Sequence, residues 1–118
     1  MITYHPPAPP IVKPDAHPAT DLSFMRKRAD GGGIDYWIAE ASGNYGKDWE
    51  AGRALGVEYL AYVGKHPTFG NGTLLGSIVL AMMETDAARG HVVGFMPAVN
   101  QHAMAAARLL AKHEETPE

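Results

Sequence analysis

The chain of 118 residues contains no cysteine. That single absence removes a disulfide scaffold, a thiolate nucleophile and every cysteine-ligated zinc or iron–sulfur site. Charge of either sign is also scarce, at 19% of residues with a formal net charge of -3, so the whole chain exerts no general pull on nucleic acid. Long apolar runs are missing too. The longest, Leu74 to Met83, is about half of the roughly 20 residues that a membrane-spanning helix requires. The first residues, MITYHPPAPPIVKPD, lack the basic and apolar regions of a secretory signal. These absences predict a soluble protein, compatible with the cytoplasm, that makes no use of the membrane.

What remains is ordinary globular composition, 46% hydrophobic, in a length that supports one core and not two. Proline is distributed very unevenly, with six of nine in residues 1–18. Residues 1–19 therefore read as an extended arm of polyproline type, residues 20–113 as a single globular domain, and residues 114–118 as a tail. Tyr4 and Ile11 are the arm's candidates for contact with an aromatic groove on a partner.

Within the domain the pattern predicts an α+β, mainly helical fold with three main helices and one or two short strands. A first short helix is expected from Thr20 or Asp21 up to the Gly31–Gly33 run. Ile34, Tyr36 and Ile38 alternate with Asp35, Trp37 and Ala39 in the manner of a strand over 34–41. Asp48 is placed as the N-cap of a helix from Trp49 to about Val63, and Thr73 as the cap of a second from Leu74 to Arg89, stopped by Gly90. HVVGFM, residues 91–96, reads as a short strand, and Pro97 as the first turn of a last helix reaching about His113.

On the first long helix Trp49, Gly52, Gly56, Tyr59, Leu60 and Val63 share one face. A glycine inside a helix costs about 1 kcal/mol relative to alanine, so two on the buried stripe point to a backbone passing close by, and the second helix is the expected neighbour. That second helix is apolar nearly all round, which calls for burial on more than one side or for a subunit interface. Leu80 and Met83 are its candidate contact residues, and Trp49 and Arg53, four apart, are expected to stack as a further anchor.

The stretch ASGNYGKDWEAGRALG, residues 41–56, comes nearest to a chemical motif. A phosphate-binding loop needs G-x-x-x-x-G-K and then a hydroxyl residue to hold magnesium. Gly46 and Lys47 fit, but Ala41 stands at the first glycine and Asp48 brings a carboxylate to where phosphate would lie. Gly43 and Asn44 are expected to form a tight turn with positive φ angles. The six histidines, His5, His17, His66, His91, His102 and His113, include no pair at metal-ligand spacing within one element. His102 and His113 share the last helix's apolar stripe with Val99, Ala103, Ala106 and Leu109, yet lie roughly 16 Å apart along its axis. No serine elbow and no facing carboxylate pair is present, so the sequence assigns no catalytic residue, cofactor or metal.

Function is therefore read as protein binding, including self-association as a dimer. The first alternative is a nucleic-acid-binding regulator using Arg26, Lys27 and Arg28, the one basic cluster. The second is an enzyme whose site is assembled across elements from Asp48, His66, His91 or His102. One outcome follows from the sequence directly: titration calorimetry with ATP or GTP and magnesium should give no binding heat at residues 43–48. A micromolar affinity abolished by Lys47→Ala would overturn it.

Overall fold

The structure, a computed structural model, describes residues 18–66 and 72–115; the arm with Tyr4 and Ile11 lies outside them. A 3-10 turn, Pro18–Asp21, leads to a small antiparallel hairpin of β1 (Arg26–Lys27) and β2 (Ile34–Asp35). Three helices follow: α1 (Tyr45–Lys65), α2 (Leu74–Glu84) and α3 (Arg89–Glu115). The protein is mainly helical with a two-stranded sheet, in register Arg26 with Asp35 and Lys27 with Ile34. Among the described residues no helix is long and apolar enough to cross a membrane.

The expected first helix is replaced by this hairpin. Gly31 and Gly33 take φ angles of 75° and 116°, which side-chain-bearing residues rarely adopt, so the Asp-Gly-Gly-Gly run folds the chain back on itself. Arg28 donates its amide to the Gly33 carbonyl at 2.9 Å to close the turn. Beyond the two-residue β2 the strand expected over 34–41 continues without ladder, held by the Ile38 amide on the Phe24 carbonyl at 2.9 Å.

α1 begins earlier than expected. Asn44, in extended conformation and not left-handed, is its cap, accepting the Lys47 amide on Oδ1 at 3.0 Å. Asp48 sits one turn inside, buried. α2 ends at Glu84 instead of Arg89 because Asp86 turns left-handed (φ 53°) while the Ala87 amide reaches the Met82 carbonyl and the Asp86 amide the Met83 carbonyl. This double return is a Schellman stop, and it forces the next helix to start afresh.

The largest correction concerns residues 91–96, which are helical. α3 starts at Arg89 and runs through Pro97, so that proline is interior and no helix begins there. Its ring costs roughly 3 kcal/mol in a helix because it cannot donate to the carbonyl four residues back. Two features of the same segment outweigh that cost. Phe95 is fully buried, and Gly90 and Gly94 meet α1 backbone to backbone.

The helical neighbour of Gly52 and Gly56 is thus α3, not α2. A Cβ on Gly52 would fall on the His91 carbonyl, and one on Gly56 would lie 2.9 Å from the Phe95 carbonyl and 3.0 Å from the Ala98 Cβ. Reciprocally, a Cβ on Gly90 would lie 2.7 Å from the Tyr45 carbonyl, and one on Gly94 would fall on that of Trp49. Because α1 and α3 numbers rise together along the contact, the two helices run parallel, with α2 as the return stroke. Each helix presents glycines four apart, and the two pairs interlock.

Above the crossing, Phe24, Trp37, Tyr59 and Phe95 form an aromatic core, with Trp37 and Phe95 edge to face at 5.7 Å and Phe24 and Phe95 likewise at 5.7 Å. Leu22, Met25, Tyr62, Leu74, Ile78 and Met82 complete it. Ser23 pins the segment before the hairpin to α1, its amide and hydroxyl both donating to the Glu58 carboxylate at 2.7 and 2.6 Å.

A paired substitution tests the crossing. Gly52→Ala forces two backbones apart and is expected to destabilise by about 3 kcal/mol, the upper end of overpacking. Gly64→Ala, in the same helix with open space around it, is expected to stabilise by roughly 0.5–1 kcal/mol. Thermal melts of the two variants should therefore move in opposite directions, and equal shifts would refute the crossing.

Candidate functional site

Three places gather chemistry-bearing side chains. The first is where α1 begins against α3. Gly43 (φ 85°) turns the chain so that the Ser42 amide donates to Asp48 Oδ1 at 3.0 Å. The same oxygen lies 3.7 Å from His91 Nε2, and both residues are buried, at 5% and 3% exposure. His91 packs its ring edge to face against Trp37 at 5.9 Å, and among the described residues Nδ1 of His91 and Nε1 of Trp37 have no hydrogen-bond partner.

The Ser42 amide holds the Asp48 carboxyl below its ordinary range, with the Ser42 hydroxyl and then His91 adding to the effect. Serine, aspartate and histidine therefore occur together, but in the wrong order for nucleophilic catalysis. The triad needs histidine between the hydroxyl and the carboxylate, whereas here the carboxylate is in the middle. Neither Asp48 nor His91 lines the cleft beside α2 or the groove between α2 and α3. The pair is built as a structural tie between a loop and two helices.

Of the residues named for a site assembled across elements, Asp48 and His91 meet. His66 caps the end of α1, its ring on Tyr62 at 4.8 Å, and His102 is exposed on α3. Among the described residues no three of histidine, aspartate and glutamate lie close enough to share a metal ion.

The second place is the hairpin. Arg26 Nη2 lies 3.2 Å from Asp35 Oδ2 and Arg28 Nε 2.8 Å from Asp35 Oδ1. Hydrogen bonds from Arg28 and then Arg26 hold the Asp35 carboxyl below its usual range, and the Arg28 guanidinium is correspondingly raised. Two of the three cations in the Arg26–Lys27–Arg28 cluster are thus engaged within the hairpin, on β1 and just after it and not on a helix.

The third place is apolar surface. Leu80 and Met83 stand on the outer side of α2 at 59% and 72% exposure. Beside them Val79, Met82, Met83, Ala87, Val92 and Met96, with Asp86 at the turn, line an apolar groove of about 300 Å3 between α2 and α3. Beyond the groove α3 leaves the body: every residue from Asn100 to Lys112 is exposed, including Leu109 and Leu110 at 70% and 65%. On α1 the Arg53 guanidinium lies over the half-exposed Trp49 ring at 5.9 Å, the stacking expected of that pair. The sequence reading places Leu109 on a stripe but does not single out Leu110 for contact; the signal it leaves unused is that the stripe continues past the point where α2 begins.

Comparison with protein-family models, curated proteins and solved structures finds no significant match to any of them.

The Asp48 tie has a pH signature. A carboxyl depressed in the folded state contributes stability that is present above its unfolded value near 3.9 and is lost as pH falls through the lower folded value. Wild-type stability is therefore expected to decline steeply below about pH 4. Asp48→Asn should be less stable at pH 7 but decline less over the acid range. Parallel stability curves for the two proteins would show that Asp48 carries no such contribution.

Proposed function

We propose that this protein is a small non-enzymatic protein-binding module of the cytoplasm that acts through contacts with other proteins, including copies of itself. The observation that carries this reading is the concentration of large apolar side chains outside the core: Leu80 and Met83 on α2, and Met104, Leu109 and Leu110 on α3. Burying one such side chain stabilises by about 1.5–3 kcal/mol, so leaving five in water forgoes an amount comparable to the net stability of a small domain. An associating partner that covers part of this surface recovers that gain. Methionine suits the groove to adaptable contacts.

The rival readings draw less support. Neither Asp48 nor His91 lines the cleft beside α2 or the α2–α3 groove, and Asp35 engages Arg26 and Arg28 within the hairpin. Trp49, under the Arg53 guanidinium, is a further half-exposed ring on α1, apart from α2 and the free half of α3. It is an anchor of second rank.

Light scattering at micromolar concentration tests the reading. A mass well above the 12.7 kDa of one chain is expected, and Leu80→Glu together with Met83→Glu should lower it while leaving helicity intact, since both side chains point outward. A wild-type mass that stays at one chain across the concentration range would defeat self-association.

A further inference from the structure

From the position of the free half of α3 we infer that two copies of this chain pair through an antiparallel, two-fold seam formed by α3 of each copy; this rests on the self-association reading above. Along α3 the residues Val92, Met96, Val99, Ala103, Ala106 and Leu110 recur at alternating spacings of four and three, the repeat that keeps one face turned to a helical partner. Val92 and Met96 line the α2–α3 groove, while Ala103, Ala106 and Leu110 continue the same line as exposed residues. The seam is therefore half-lodged in the body and half bare.

Size decides its partner. The seam is bulky at its ends, with Val99 and Leu110, and small in the middle, with Ala103 and Ala106. Turned end for end on a second copy, it matches itself: Leu110 lies opposite the second copy's Val99, and Ala106 opposite the second copy's Ala103. The alanines let the helices approach closely at the centre, and a large residue fills each end.

The placement of α2 selects the antiparallel direction. Arg108 and Lys112 are the ionised side chains described on the free half, and both stand on the outer positions of the repeat, clear of the seam. Parallel pairing in register would bring the two α2 helices, which flank the seam at Val92 and Met96, to the same level, whereas end-for-end pairing sets bare half against bare half. Antiparallel pairing separates the Lys112 side chains by roughly 22 Å along the axis and the Arg108 side chains by about 10 Å. His102 and Leu109 flank the seam, and Leu109 is covered with it.

Area fixes the extent. From Val99 to Leu110 the seam is about 17 Å long on a helix about 10 Å across. That is well short of the about 800 Å2 per partner of a standard interface. Continuing the pairing brings the end of the second copy's α3 level with Met96, over the groove walled by Met83 and Val79, and roughly doubles the covered length. A concentration-dependent dimer of moderate affinity is the consequence, with the Met83 surface and the α3 seam in one interface.

The absence of native cysteine makes a single spin label unambiguous. Ala111→Cys, labelled in the full chain, is expected to give a defined pair distance in electron double resonance, with Cα atoms about 22 Å apart from the antiparallel offset and the width of two helices. A separation of about 10 Å would mean parallel pairing and overturn the proposal. A dimer by light scattering with no defined distance at Ala111 would overturn it while leaving self-association standing, whereas a monomer defeats both. Leu110→Glu, outside the core, should weaken dimerisation by at least about tenfold with an unchanged melting curve at dilution; unchanged affinity would remove Leu110 from the interface and refute the seam.

Discussion

The interlocking of Gly52 and Gly56 with Gly90 and Gly94 is the constraint from which the remainder of the body follows. Four glycines inside helices together cost about 2–4 kcal/mol relative to alanine. Only a contact that no side chain permits can justify them, and a Cβ at each of the four would meet the opposite helix's backbone or the Cβ of a residue on it. Paired small residues of this kind are familiar between helices in membranes, where close backbone approach replaces hydrophobic driving force. Here the helices lie in an aqueous fold, and the approach serves position. It sets α1 and α3 parallel, which obliges α2 to run back between their ends.

With the crossing fixed, His91 and Phe95 project from the same side of α3 and close the aromatic core over Trp37. The core tolerates a defect there. A buried indole N–H and a buried imidazole nitrogen without partners cost about 1–3 kcal/mol each. An indole ring buries about 150–250 Å2, a gain of roughly 4–6 kcal/mol at 25 cal/mol per Å2. Burial of Trp37 therefore outweighs its unpaired nitrogen, and Asp48 stays close enough to His91 to offset part of the other cost.

How far this is legible in the sequence depends on whether the signal is local. α1, α2 and the close approach at Gly52 and Gly56 follow from periodicity and from glycine's helix cost, both readable within a few turns. The partner of those glycines is not, because identifying it requires matching Gly52-x-x-x-Gly56 with Gly90-x-x-x-Gly94 across an intervening helix. Read alone, Val92, Val93 and Phe95 favour a strand, Gly90 and Gly94 disfavour a helix, and Pro97 favours a helix that starts only there. Tertiary contact reverses each of these preferences. Asp48 misleads in the opposite way: it has the right chemistry for a cap, but Asn44, four residues earlier and after the turn at Gly43, takes that role, which frees the carboxylate to bind the Ser42 amide. Three consecutive glycines signal a break, but alone they read as the end of a helix; the hairpin turn and the two ion pairs to Asp35 emerge only once the strands are opposed.

The free half of α3 raises a separate physical point, because its helicity and its exposure have different causes. An isolated segment of 13 residues would be marginal as a helix in water. Asn100 to Lys112 escapes that limit because the turns before it are already formed against α1, so each further residue only propagates the helix and no new nucleus is needed. Its alanines, at 103, 105, 106, 107 and 111, are the residues that propagate best. The segment is thus ordered without requiring a partner to order it, and its leucines are held in place before any contact is made. A surface prepared in this way loses little conformational freedom on association, so a modest apolar area retains more of its hydrophobic gain as affinity than a flexible segment of equal composition.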